Sequence, residues 1–243
     1  MLKKRMKFFL EILRQLQMNK TILIVAAHPD DEVLGCFATI AKYIQKGYKA
    51  YTLILGEGKT SRDNIRDINK KSKELSLLND EIINANNIIN IEKIFIKSFP
   101  DNRFDSIDLL DIIKVISSVI DEVCPAIIFT HYENDLNIDH RLTYQAVITA
   151  TRPMENEVVQ EIYSFEIPSS TEWRYPLSFS PDIFFDVKDT INLKIEAMKK
   201  YKSELCEYPH PRSLEGIKLN AQYHGMRVGK KYVEAFKAVR VIK

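Results

Sequence analysis

Four side chains able to bind a metal or to move a proton lie close together at His28, Asp30, Asp31 and Glu32. They follow residues 22–25, an apolar and mostly β-branched run that is typical of a strand buried on both faces. In an open α/β sheet, ligands bind just beyond the C-terminal ends of the strands. The polar cluster therefore lies where such a sheet would place an active site.

A second apolar run, at residues 126–129, leads into a polar segment that contains His140. If the two runs are neighbouring parallel strands, His28, Asp31 and His140 meet at one edge of the sheet although they lie far apart in the chain. Three ligands of this kind leave a divalent metal open to water and substrate, as catalytic zinc requires. The metal would lower the pKa of a bound water to about 7, and Asp30 is the candidate general base beside it.

Each of these assignments has a structural alternative. Carboxylates at a helix start can cap exposed amides and complement the helix dipole, and Glu32 fits that role best. Capping does not explain His28 beside two aspartates. His140 considered alone is compatible with an ordinary residue at a helix start, and His131, His210 and His224 carry the same alternative.

The periodicity of apolar residues places these clusters in an alternating series of strands and helices. Such a series predicts a doubly wound, mostly parallel, Rossmann-like sheet with helices on both faces. Strands are predicted at residues 21–27, 49–55, 92–97, 126–130, 160–166 and 182–187. Helices are predicted at 32–46, 62–87, 106–123, 140–151, 189–202 and 213–227, with Ser106, Asp189 and Ser213 as N-caps. The connections at 99–105 and 168–181 are candidate substrate loops.

Composition narrows the class of protein. With 243 residues and 45% hydrophobic residues, the chain can bury the core of one domain, at residues 19–243. The net charge of +2 is too small to attract nucleic acid electrostatically. No motif of aromatic and basic residues for base stacking is present either. The three cysteines are far apart, which favours a reduced cytoplasmic location and argues against disulfides and a thiolate zinc site.

Residues 1–17 combine basic and apolar residues in the pattern of a basic amphipathic helix. Charges interrupt the apolar stretch and no cleavage site follows, so the segment does not resemble a signal peptide. We interpret residues 1–18 as an extension that packs on the domain or on a second subunit. A weak contact with a membrane surface and a start of translation at Met18 are the alternatives.

The two polar motifs resemble those of a known family, the PIG-L or LmbE-like deacetylases. The match consists of Ala-His-Pro-Asp-Asp-Glu at residues 27–32 and Asn-Ile-Asp-His at residues 137–140. Similarity extends from about residue 21 to residue 242 and includes segments 99–103, 168–173 and 209–213. The resemblance implies a metal-dependent hydrolase that removes the acetyl group from an N-acetylglucosamine-type amide.

Carried over by position, the resemblance makes His28, Asp31 and His140 the zinc ligands and Asp30 the base. Fe²⁺, Co²⁺ or Ni²⁺ would also accept such ligands. The sequence departs from the family at Asn137, where many members have a histidine that stabilises the charged intermediate and that Asp139 supports. Asn137 itself or His210 is then the candidate oxyanion donor, and the rigid Pro-flanked loop around His210 favours the histidine.

The substrate implied by the resemblance is an N-acetylated amino sugar, either free or linked to a glycan, a lipid or a nucleotide. Trp173, the only tryptophan, is a candidate for stacking on a sugar ring. Asp101 and Asn102 are candidates for hydrogen bonds to sugar hydroxyls. Bidentate contacts to an anionic group are candidate roles for four arginines, namely Arg62, Arg66, Arg103 and Arg212.

Two other classes of protein are compatible with the same residues. Two histidines and one carboxylate also form the facial triad of non-haem Fe(II) oxygenases. That class fits less well, because the pattern shows no β-sandwich or barrel and leaves Asp30 without a role. The other class is a non-enzymatic α/β binding module in which the acidic cluster only caps a helix.

Overall fold

The computed structural model describes residues 20–62, 66–154 and 158–242, so the predicted extension at residues 1–18 lies outside the described residues. Within the described part, strands and helices alternate along the chain. The strands are β1 Thr21–Ala26, β2 Lys49–Gly56, β3 Lys93–Phe99, β4 Ile127–His131, β5 Glu161–Phe165, β6 Ile183–Asp186 and β7 Val233–Val241. The helices are α1 Asp31–Gln45, α2 Ser72–Asn86, α3 Leu109–Val123, α4 Ile138–Ala150, α5 Ile191–Met198 and α6 Leu214–Arg227.

One sheet contains all seven of these strands in the order β3-β2-β1-β4-β5-β7-β6. The first five strands in this order, β3, β2, β1, β4 and β5, pair in parallel. Strand β7 pairs antiparallel with both β5 and β6. From β1 the chain proceeds to β2 and β3 on one side and then crosses to β4 on the other. The order of the strands therefore reverses between β1 and β4, and their C-terminal ends form the crevice in which such sheets bind ligands.

The side chains of β1 explain why the sheet is covered on both faces. Ile22 and Ile24 pack into an apolar core with α1, α2, α5 and α6, whereas Leu23 and Val25 point to a second core with α3 and α4. All four side chains are fully buried. A strand with apolar residues at every position requires this double cover, because successive side chains point to opposite faces. The predicted doubly wound α/β fold is confirmed.

The structure corrects several predicted boundaries. The helix predicted at 62–87 begins only at Ser72, and the one predicted at 106–123 begins at Leu109, because Ser106 ends a preceding 3-10 turn. The helix predicted at 189–202 spans only Ile191–Met198, and its N-cap is Thr190 rather than Asp189. Ser213 is confirmed as the N-cap of α6, where its Oγ accepts a hydrogen bond from the Gly216 amide.

Strand β7 was absent from the prediction. Charged residues interrupt its apolar pattern, and a strand that returns antiparallel between β5 and β6 does not belong to the regular alternation of strand and helix. None of the helices in the described ranges is long and apolar enough to cross a membrane.

Candidate active site

The chain turns sharply between β1 and α1. The amide of Ala27 donates a hydrogen bond to Nε2 of His131 at 2.8 Å, and the amide of His28 donates to Oδ2 of Asp31 at 2.8 Å. Asp30 then adopts a left-handed backbone conformation with φ 88°, a region that costs an L-residue about 1–2 kcal/mol. Its side chain makes no capping bond and lines a cavity instead, which separates Asp30 from the capping alternative.

His28, Asp31 and His140 converge as the order of the strands requires. Nδ1 of His28 lies 3.3 Å from Nε2 of His140 and 3.4 Å from Oδ2 of Asp31. Nε2 of His140 lies 3.3 Å from the same oxygen. Ligands 2.0–2.1 Å from a tetrahedral zinc are separated by about 3.3–3.4 Å. These three atoms therefore have the spacing of three zinc ligands, with a fourth position left open.

Buried carboxylates fix the two histidine rings from behind. Nε2 of His28 donates to Oδ2 of Asp139 at 3.0 Å, and Nδ1 of His140 lies 3.1 Å from Oδ1 of Asp135. Asp139 is itself held by the Phe104 amide, which donates to its Oδ1 at 2.9 Å. Each histidine consequently turns its other nitrogen toward the common centre, an orientation that supports metal binding.

The ionisable groups of the site shift one another's pKa values. Burial alone lowers the pKa of His140, but the carboxylates of Asp31 and Asp135 outweigh burial and raise that pKa to about 9. Burial raises the pKa of Asp31, yet the imidazoles of His140 and His131 hold it well below its ordinary value. His131 has a pKa well below its ordinary value because it is buried and next to His140. The donor atoms thus lie among carboxylates that favour a bound cation.

The donor set opens into a cavity of about 210 Å³. Asp30 lines it together with the three candidate metal ligands, and its Oδ2 accepts a hydrogen bond from Nη1 of Arg212 at 3.0 Å. Burial raises the pKa of the Asp30 carboxyl well above its ordinary value, and Arg212 partly opposes that rise. A carboxyl with a raised pKa in the same cavity as a candidate metal site is suited to proton transfer.

Four further residues singled out from the sequence lie in the cavity wall, namely Asp101, Asn102, Asn137 and Arg212. Asn137 is the N-cap of α4, and its Nδ2 donates to Oδ1 of Asn102 at 2.7 Å. Oδ2 of Asp101 accepts hydrogen bonds from the amide and hydroxyl of Ser61. Asp139 lies behind this wall, and its carboxylate contacts His28 rather than the side chain at position 137.

Other sequence candidates lie away from the cavity wall. His210 packs edge-on against Trp173 with ring centroids 5.7 Å apart, and neither side chain lines the cavity. Arg66 forms a bidentate ion pair with buried Glu57, so its guanidinium binds a carboxylate of the protein itself. Arg103 precedes the 3-10 turn at Phe104–Ser106 and does not line the cavity. The side chain of Arg62 lies outside the described residues.

Sequence reasoning missed several residues that shape the site. Lys59, Ser61, Ser169, Ser170 and Glu204 line the cavity, and they come from irregular segments whose path no periodic pattern predicts. His131, the last residue of β4, and Asp135 in the polar segment after it had no assigned role. The position of His131 at the end of a buried strand was the available signal, because alternation directs it inward.

Glu32 belongs to the scaffold of the site, as the sequence indicated, although it does so through a buried network rather than a cap. The side chain is fully buried. Its Oε1 accepts hydrogen bonds from the Tyr201 hydroxyl at 2.5 Å and from Nδ2 of Asn86 at 3.0 Å. These bonds connect the start of α1 to α2 and to the segment after α5.

Comparison with known proteins gives a consistent result. Residues 23–151 match the family model described as PIG-L, GlcNAc-PI de-N-acetylase. The uncharacterized deacetylase YaiS of Escherichia coli K12 is 31% identical over 191 residues, which cover 76% of this chain and 92% of that protein. The diacetylchitobiose deacetylase of Thermococcus kodakarensis is 25% identical over 229 residues, covering 90% and 83%. The solved N,N'-diacetylchitobiose deacetylase of Pyrococcus horikoshii shares the fold, with a TM-score of 0.71 at 18% identity over 96% and 92% of the two chains.

The chain belongs to the PIG-L family, whose model matches more than half of its length, and the expected resemblance is confirmed. Its named relatives in this comparison are deacetylases. The matched segment contains His28, Asp30, Asp31 and His140, whereas Arg212 lies beyond it. The open α/β fold thus agrees with that of the solved deacetylase in this comparison.

Proposed function

We propose that this protein is a metal-dependent hydrolase that removes the acetyl group from an N-acetylated amino sugar of the N-acetylglucosamine type. The proposal rests on one observation, namely that a set of metal donor atoms and a separate carboxylate able to act as a base line the same cavity. Three donor atoms from His28, Asp31 and His140 have the spacing of zinc ligands, and Asp30 lies beside them without being part of that set.

The roles of the side chains follow from their positions. His28, Asp31 and His140 would hold Zn²⁺, which supplies a Lewis acid and lowers the pKa of water. Asp30 takes the proton of the attacking water and later passes it to the departing amine. Arg212 holds Oδ2 of that carboxylate and thereby fixes its orientation in the cavity.

Asn137 is the better candidate for the oxyanion donor. It lines the cavity together with His140 and Asp30, whereas His210 does not. Its Oδ1 accepts from the Asp139 amide at 2.8 Å and its Nδ2 donates one hydrogen to Asn102, so the amide is fixed and one Nδ2 hydrogen remains for an oxyanion. A preorganised amide donor of this kind stabilises a tetrahedral intermediate at a small cost in reorganisation.

The substrate class rests on the relatives and on the lining of the cavity. The deacetylase of Thermococcus kodakarensis acts on diacetylchitobiose, and the cavity of this chain is lined by polar groups suited to sugar hydroxyls, including Asp101, Asn102 and Ser169. Trp173 is about half exposed and does not line the cavity, so a sugar in the cavity would not stack on it. We therefore propose that one N-acetylated sugar enters the cavity.

Acetate release tests this proposal. The purified protein is analysed for bound metal and incubated with N-acetylglucosamine, diacetylchitobiose and nucleotide-linked N-acetyl sugars. Stoichiometric zinc with acetate release supports the proposal. Redox-active iron with oxygen consumption would instead support an oxygenase, and a protein that binds no metal and releases no acetate would be a binding module.

A further inference from the structure

The side chains of Lys59 and Arg212 line the cavity, and both approach the carboxylate of Glu204. Nζ of Lys59 is hydrogen bonded to Oε1 of Glu204, and Nη1 of Arg212 lies 3.9 Å from Oε2 of that residue. Nη1 of Arg212 also donates to Oδ2 of Asp30 at 3.0 Å. Charges therefore alternate along one wall of the cavity, from Lys59 through Glu204 and Arg212 to Asp30.

The backbone and the neighbouring loop both hold Lys59 in this arrangement. Lys59 has a left-handed conformation with φ 70° and follows Gly58, which has φ 66°. Its Nζ donates a second hydrogen bond to Oγ of Ser203 at 2.7 Å. The side chains of Lys59 and Glu204 are only 5% and 11% exposed, so solvent and salt screen this ion pair weakly.

Outside the donor set of His28, Asp31 and His140, the described residues of the cavity wall include three carboxylates and two cations. The carboxylates are Asp30, Asp101 and Glu204, and the cations are Lys59 and Arg212. An anionic substituent entering there would have to separate Glu204 from its cations and approach the remaining carboxylates. A neutral hydroxyl meets no such penalty, because carboxylates accept hydrogen bonds from it.

We propose that Glu204 is a specificity-determining residue, which makes the cavity select an uncharged N-acetyl sugar over one that carries a phosphate group. This inference rests on the deacetylase function proposed above. Glu204 neutralises Lys59 directly and lies near Arg212, which is also paired with Asp30. Its removal should therefore release Lys59 for a phosphate, while Arg212 keeps its hydrogen bond to Asp30.

The test compares N-acetylglucosamine with its 6-phosphate in the zinc-loaded protein and in Glu204→Gln. The wild type should favour the neutral sugar in kcat/KM by about tenfold or more, and Glu204→Gln should reduce that preference by about tenfold. The matched control is Glu207→Gln, an exposed position in the same loop that does not line the cavity. An unchanged preference in Glu204→Gln, or a wild type that prefers the phosphate, would overturn the inference.

A double variant and a binding measurement separate this inference from the proposed function. Lys59→Gln added to Glu204→Gln removes the released cation and should restore most of the wild-type preference. Calorimetry with glucosamine 6-phosphate requires no turnover, and Glu204→Gln should bind it about tenfold more tightly than the wild type. If no sugar yields acetate but this gain appears, the role of Glu204 stands and the deacetylase proposal fails. If acetate is released but binding is unchanged, the role of Glu204 fails alone.

Discussion

Asp139 accepts a hydrogen bond from Nε2 of His28 at 3.0 Å, although His28 follows β1 and Asp139 lies in the first turn of α4. The bond leaves Nδ1 of His28 directed at His140 and Asp31. Asp139 is fully buried and also accepts from the Phe104 amide. It therefore acts on the metal-binding set through the orientation of one ring.

The first prediction concerns this orientation. Asp139→Asn should weaken zinc binding by about 10–100-fold, because carboxylates behind metal-bound histidines fix the ring and increase its basicity. Zinc affinity is measured by competition with a chelator of known affinity. Asp105→Asn, an exposed change in the neighbouring 3-10 turn, serves as the control and should retain wild-type affinity. Equal affinities in both variants would show that Asp139 does not support the site.

The second prediction distinguishes the two candidate oxyanion donors. Asn137→Ala should lower kcat by about 100-fold with little change in KM, because the lost hydrogen bond is strongest in the transition state. His210→Ala should lower kcat by less than about threefold, since that ring lies against Trp173 outside the cavity wall. Steady-state kinetics of acetate release provide both values. The reverse order of effects would assign the role to His210.

The convergence of His28, Asp31 and His140 was predictable because parallel strands end at one edge of a sheet. Each of the two strands could also be recognised in the sequence as an apolar run. The same argument located Asp30. The contact of Arg212 with Asp30 was not predictable, since Arg212 lies in an irregular loop and no periodicity specifies where such a loop crosses the sheet.

The fold likewise contains elements that the sequence predicted and one strand, β7, that it did not. Strands β1 to β6 follow from short apolar runs, and helices α1 and α3 follow from amphipathic spacing. Strand β7 includes Glu234, Lys237 and Arg240. Contacts that the sequence pattern does not predict accommodate these charges. Glu234, for example, forms a buried ion pair with Lys194 of α5.

The third prediction concerns Glu32 and the stability of the metal-free protein. Burial raises the pKa of Glu32 to about 7, despite hydrogen bonds from Tyr201 and Asn86 that favour the charged form. The folded state therefore binds a proton more tightly than the unfolded state, and this contribution to stability is lost as the pH rises from about 4.5 through about 7. Glu32→Gln removes the titration.

Urea unfolding from pH 5 to pH 8 measures this effect. Relative to Glu32→Gln, the free energy of unfolding of the wild type should fall with rising pH by about 2–3 kcal/mol. Glu215→Gln changes the second residue of α6, where the side chain is exposed, and should follow the wild type at every pH. A constant difference between the wild type and Glu32→Gln would refute the prediction.

The fourth prediction separates the proposed base, Asp30, from the proposed metal ligands. Asp30→Ala should keep stoichiometric zinc and lose about 100–10,000-fold in turnover, because it removes proton transfer but none of the three donor atoms. His28→Ala should lose the metal as well as the activity. Zinc content and acetate release are measured on the same preparations. Wild-type turnover in Asp30→Ala would show that another group is the base.

Metal removal and replacement test the central claim most directly. The protein is treated with a chelator, dialysed and assayed for acetate release from diacetylchitobiose before and after one equivalent of Zn²⁺ is added. The account predicts that activity is lost with the metal and returns with it, while His140→Ala stays inactive at this zinc concentration. Acetate release that continues unchanged in the metal-free protein would contradict it.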